Sequence, residues 1–102
     1  MRNDRRPNFL WISFEDTNPF YGCYGDAVAR TPNLDRLARQ GARFTNAISN
    51  CPVCTPYRAM LQTGRWPLAS GMIANDIRLP EGEYTIGEAF RDAGYQTGYI
   101  GK

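Results

Sequence analysis

The chain has 102 residues, 12 Lys plus Arg against 10 Asp plus Glu, a formal net charge of +2 and no histidine. That length suits one small domain with a modest core. The basic residues cluster only at Arg2, Arg5 and Arg6, so the chain lacks the basic stripe of a nucleic-acid binder, and no stretch approaches the roughly 20 apolar residues that span a bilayer.

Met1 to Pro7 is basic, but the apolar run behind it is too short for a signal segment and lacks a small-residue cleavage pattern. With no targeting segment visible, a cytoplasmic location is the default, and a periplasmic or secreted one would need an upstream signal. Phe9 to Phe14 is a continuous apolar run bounded by Pro7 and by charges, which predicts a strand buried on both faces of a parallel sheet. Its carboxyl end delivers Glu15 and Asp16, and ligands of open α/β sheets gather at such ends. On its own such a pair reads first as a solvated turn, with a cation site as the alternative.

Asn18 to Ala29, rich in Gly, Pro, Asn and Tyr, reads as a loop, and Cys23 within it has no assigned role. Thr31-Pro32 is a cap-then-proline signal, and Leu34, Leu37 and Ala38 follow at helical spacing until Gly41. The expectation is a surface helix packed on a sheet. Ala42 to Ile48 suits a short extended segment.

Cys51 to Arg65 holds the densest chemistry. Thr55 followed by Pro56 predicts a helix start, because a Thr hydroxyl accepts an orphan N–H and proline tolerates the first helical position. Cys54 then sits just ahead of a helix N-terminus, where N–H donors and the helix dipole favour a sulfate, a phosphate or a thiolate. Arg58, one turn inside, could aim a guanidinium at the same point. Cys51-x-x-Cys54 also has redox spacing, although that reading leaves Pro56, Arg58 and Gly64 unexplained. Zinc is disfavoured, since no second cysteine pair and no histidine is present.

Trp66 to Glu83 carries Pro67, Gly71, Pro80 and Gly82 with no sustained period, and reads as a long loop with at most short elements. Asn75 and Asp76 within it suit a turn or the lining of a cleft. Thr85 caps a helix with Ile86, Ala89, Phe90 and Ala93 on one face and Gly94 as its stop, while Glu88, Arg91 and Asp92 face solvent. Tyr95 to Ile100 reads as a second parallel strand, reached by a right-handed crossover and ending near Lys102.

Cys54-Thr55-Pro56-Tyr57-Arg58, continuing to Thr63-Gly64-Arg65, resembles the signature of the type I, formylglycine-dependent sulfatases of the alkaline phosphatase superfamily. Three further stretches fit in the same order: Arg6 to Leu10 with Glu15-Asp16 behind it, Thr31 to Leu37, and Gly94-Tyr95 through Gly101-Lys102. Tyr57 stands where serine is common, Gln62 where an aliphatic residue is usual, and Glu15 where the first of two metal-binding aspartates is expected.

The resemblance implies an α/β fold, the N-terminal part of a three-layer α/β/α sandwich with a mainly parallel sheet. It makes residues 1–102 the N-terminal portion of a sulfatase catalytic domain, inactive alone, since the family motif runs on beyond Lys102 into Trp and His. It also implies a sulfuric ester hydrolase. A maturation enzyme reading Cys54, Pro56 and Arg58 would convert Cys54 to formylglycine, whose hydrate attacks sulfur and later eliminates sulfate. Ca2+ or Mg2+ would be held by Glu15, Asp16 and the matured Cys54. Arg58 would hold the hydrate, and Lys102 would bind the substrate and stabilise charge developing on sulfate. The substrate would be a sulfate ester, a sulfated carbohydrate among the candidates. Two alternatives stand beside this reading: a phosphonate or phosphate ester hydrolase with the same nucleophile, and a non-catalytic remnant.

Overall fold

A computed structural model describes residues 6–102. The expectations placed on Arg2 and Arg5 lie outside the described residues. Four α-helices are present among them: α1 (Pro32–Gln40), α2 (Cys54–Thr63), α3 (Pro67–Ser70) and α4 (Ile86–Asp92), with a 3-10 turn at Gly22–Tyr24. The chain divides into two compact units, one ending at Asn46 and one running from Ala47 to Lys102.

In the first unit α1 starts at Pro32, the first-turn position where proline's missing N–H is not needed. Thr31 is its N-cap residue, but its hydroxyl makes no cap bond. The Thr31 hydroxyl accepts from the Gly22 N–H at 3.0 Å and donates to the Asp35 carboxylate at 3.0 Å, and Asp35 also accepts the Cys23 N–H at 2.7 Å. The cap-like residue therefore ties α1 to the 3-10 turn. A Cβ on Gly22 would meet an Asp35 carboxylate oxygen at 2.7 Å, so a larger residue there would have to displace the Asp35 side chain. Arg43 donates to the Cys23 carbonyl at 2.6 Å and stacks 5.4 Å from the Tyr24 ring centroid, and the Tyr24 hydroxyl donates to the Phe44 carbonyl. Asp26 accepts from the N–H groups of Ala29 and Val28, which hold its carboxyl below the usual range.

The second unit is organised around α2, which packs against α3 and α4. Its interior is small: Pro56, Ala59, Ser70 and Met72 are buried, with Met72 only 2% exposed. Gly64 ends α2 at φ 68, the left-handed cap that glycine adopts without a Cβ penalty, and returns its N–H to the Met60 carbonyl at 2.8 Å. The long loop after Arg65 contains only the one-turn α3, as its Pro and Gly content predicts. Arg65 clamps it, pairing with Glu83 through one guanidinium nitrogen and donating to the Ala69 carbonyl at 2.6 Å through the other. At the start of α4 the Thr85 hydroxyl accepts the Glu88 N–H, and the Glu88 carboxylate accepts the Thr85 N–H at 2.8 Å. Glu88, expected in solvent, instead completes a capping box. Phe90 meets Tyr95 edge-on at 5.2 Å, where the chain leaves the helix.

Two expectations stay unconfirmed among the described residues. Neither Phe9–Phe14 nor Tyr95–Ile100 forms a strand, and no parallel sheet is present. Apolar composition supplies the faces of a buried strand, but a strand exists only when a neighbour takes up its edge N–H and C=O groups. Phe9, Leu10, Trp11, Ile12 and Phe14 remain 56–86% exposed, and Ile100 is fully exposed. No helix among the described residues is long and apolar enough to cross a membrane.

Candidate active site

Helix α2 begins earlier than its proline suggests. Val53, at φ −125 and ψ 138, is the N-cap, and the first helical bond runs from the Tyr57 N–H to the Val53 carbonyl at 3.0 Å. Cys54, Thr55 and Pro56 therefore fill the first turn, and Thr55 is not the cap. Pro56 fits at the third position because the N–H groups of the opening turn have no acceptor within the helix. Valine has no side-chain oxygen to cap with. The Thr55 N–H is taken instead by the Asn75 side-chain oxygen at 3.0 Å.

This start holds Cys54 as a free, partly buried thiol, as Cys23 and Cys51 also are. Lys102 lies across from it, its ammonium donating to the Cys54 sulfur at 4.0 Å. Arg58, one turn along α2, donates to the Lys102 carbonyl at 3.0 Å, and the Tyr99 hydroxyl donates to that same oxygen. Cys54, Arg58 and Lys102 are thus gathered at one point from the start of α2 and from beyond α4. Arg58 turns its guanidinium to the Lys102 backbone.

Glu15 and Asp16 belong to the first unit. They occupy an exposed bend, and Asp16 adopts φ 50, unusual for a residue with a Cβ. Calcium takes six to eight oxygen ligands. Among the described residues no group of three or more His, Cys, Asp or Glu side chains is placed to hold a metal ion. The two acids do not amount to a cation site on their own, and no chemical step is routed through a cation below. Asn75 is the residue whose place at the site the sequence left open. Its only signal was a turn-forming Asn-Asp pair in a loop too long to be purely connective.

A thiol in the first turn of α2 thus has a lysine ammonium beside it, and an arginine from the next turn holds the backbone of that lysine. The chain belongs to the sulfatase family: the family model described as Sulfatase matches residues 7–102. An ulvan-active sulfatase from Formosa agariphila is 44% identical over 98 residues, covering 95% of this chain and 19% of that protein. Steryl-sulfatase from Mus musculus is 42% identical over 110 residues, with 96% of this chain and 18% of the relative covered. Arylsulfatase D from Homo sapiens is 42% identical over 112 residues, with 98% and 19% covered. The chain thus spans about a fifth of the length of these relatives. No solved structure gives a significant match.

Proposed function

We propose that the chain is the nucleophile-bearing portion of a sulfuric ester hydrolase, in which Cys54 is matured to formylglycine. The observation that carries this reading is the placement of the Lys102 ammonium 4.0 Å from the Cys54 sulfur, within a complete Cys54, Pro56 and Arg58 motif. Formylglycine, once formed, supplies a hydrated aldehyde that serves as nucleophile and releases its bound group without water attacking at sulfur. The residues present fit this group, because Cys54 is a free, partly buried thiol in the first turn of α2 with the Lys102 ammonium 4.0 Å away.

The roles of the side chains follow from charge. Lys102 neutralises negative charge on the sulfate oxygens as the ester bond breaks, and Arg58 fixes the backbone that carries Lys102 and adds a second positive charge. The first turn of α2 contributes the positive end of its dipole. Two unit charges about 4 Å apart interact by about 1 kcal/mol in water, against about 4 kcal/mol at an effective dielectric of 20. In this chain the lysine and arginine contacts are exposed, so the site reaches working strength only when covered. We therefore expect no turnover from residues 1–102 alone.

Glu15, Asp16 and the matured Cys54 are proposed as part of a divalent-cation site. The extended segments 9–14 and 95–100 are proposed as parallel strands of an alkaline phosphatase-like α/β/α sandwich. The proposed partners are a sulfate ester substrate and a formylglycine-generating enzyme. The test is a longer protein containing this chain, with matured Cys54, assayed on paired aryl sulfate and aryl phosphonate esters. Preference for the sulfate supports the reading, preference for the phosphonate changes the substrate class, and inactivity toward both after confirmed maturation overturns it.

A further inference from the structure

We infer that Asn75 is a positioning residue for the nucleophile, holding the first turn of α2 through the Thr55 amide; its bearing on catalysis rests on the reading of Cys54 given above. Val53, the N-cap residue, has no side-chain acceptor, and Pro56 has no N–H to be capped. Among the donors of the first turn, the Thr55 N–H follows Cys54 directly, and it is met by the Asn75 oxygen at 3.0 Å from 20 residues away. An amide oxygen in a distant turn does the work that a Ser, Thr or Asp at position 53 would do locally.

Asn75 is exposed, but the loop that carries it is anchored. Met72 is 2% exposed, Ser70 is buried with its hydroxyl donating to the Trp66 and Pro67 carbonyls at 3.2 and 3.3 Å, and Asp76 beside it adopts φ 62. The buried Met72 fixes the loop against the helical unit, and the turn at 75–76 delivers the oxygen. With that bond absent, the first turn frays and Cys54 leaves the reach of Lys102.

The experiment uses the full 102-residue chain in dilute solution, in the thiol form, with Asn75→Ala, Asn75→Asp and Asn75→Leu. Residue-resolved amide exchange is followed at Thr55 and at Ala89 in α4, and the alkylation rate of Cys54 is compared with that of Cys23. Loss of a cap of ordinary strength speeds Thr55 exchange about fivefold in Asn75→Ala. Ala89 exchange stays unchanged, and the ratio of Cys54 to Cys23 alkylation rates departs from its wild-type value. Asp, which keeps an acceptor oxygen, restores both values, and Leu, of the same size without one, does not. If Asn75→Ala fails to fold, the Asp and Leu variants carry the comparison. Equal Thr55 exchange in the Asp and Leu variants, or a rise in exchange shared equally by Ala89, overturns the inference. Neither readout needs turnover, so a failure here is distinguishable from a failure of the sulfatase reading.

Discussion

The Lys102 ammonium lies 4.0 Å from the Cys54 sulfur although 48 residues separate the two in sequence. The contact joins the last described residue after α4 to the first residue of α2, and Arg58 reinforces it from α2 through the Lys102 carbonyl. In a longer protein with matured Cys54, Lys102→Met is expected to lower kcat about 10²–10³-fold, the scale for removing one preorganised charge stabiliser. Lys102→Arg should retain part of the activity. Steady-state kinetics on an aryl sulfate separates the cases, and a loss confined to KM would assign Lys102 to ground-state binding alone.

Arg65 holds the loop after α2 by a fork to Glu83 and to the Ala69 carbonyl, with its own side chain half-exposed. Exposure limits the ion pair to about 1 kcal/mol, and the second bond depends on the planar guanidinium. Arg65→Lys should therefore destabilise the second unit nearly as much as Arg65→Met, by about 1 kcal/mol. Thermal unfolding of the two variants checks this, and a Lys variant as stable as the wild type would reduce the fork to a simple charge contact.

The capping box on α4 makes an acid-sensitive contribution. The Thr85 N–H and then the Thr85 hydroxyl hold the Glu88 carboxyl below its ordinary value of 4.5. A folded-state pKa below the unfolded one stabilises the fold fully above 4.5, and the contribution is lost as pH falls through the folded value. Glu88→Gln should flatten the acid limb of the stability profile without abolishing it. Asp92, lowered by the Tyr84 hydroxyl and by Arg91, and Asp26 continue to titrate in the same direction. Thr85→Ala should cost about 1 kcal/mol at neutral pH. Chemical denaturation between pH 3 and pH 7, taken as a rough window around the carboxylate range, reads both effects.

Leu10 is 86% exposed and Ile12 66% exposed within an extended apolar run, a composition that drives association when left uncovered. The chain should self-associate as its concentration rises, and the pair Leu10→Lys with Ile12→Lys should shift it toward monomer. Sedimentation velocity across a concentration series decides, and a wild-type chain that stays monomeric throughout would contradict the expectation.

The helices were legible because their signals are local. Thr31-Pro32 through Gly41 and Thr85 through Gly94 carry start, period and stop within one segment, and α1 and α4 fall there. The start of α2 was misplaced because proline fits several positions of a first turn, and Pro56 marks the turn without marking the cap. Thr85-x-x-Glu88 held a readable capping box that the solvent-facing reading of Glu88 passed over. Asn75 was not legible, since its partner is the Thr55 backbone N–H, and a backbone group leaves no mark in sequence. The strands at 9–14 and 95–100 were inferred from apolar pattern, whereas a strand depends on an edge partner that pattern does not supply. At the site, Cys54, Arg58 and Lys102 were singled out by motif and are found together. For Glu15 and Asp16 the motif gives two carboxylates but not the further oxygens a cation needs.

The measurement that bears most directly on the central claim is the mass of the Cys54 peptide after co-expression of the chain with a formylglycine-generating enzyme. Conversion of the thiol-bearing side chain to an aldehyde lowers the mass by about 18 Da and removes one alkylatable thiol. The account predicts that shift on the peptide carrying Cys54, with Cys23 and Cys51 still alkylated. An unmodified Cys54 beside a fully converted control substrate would contradict it.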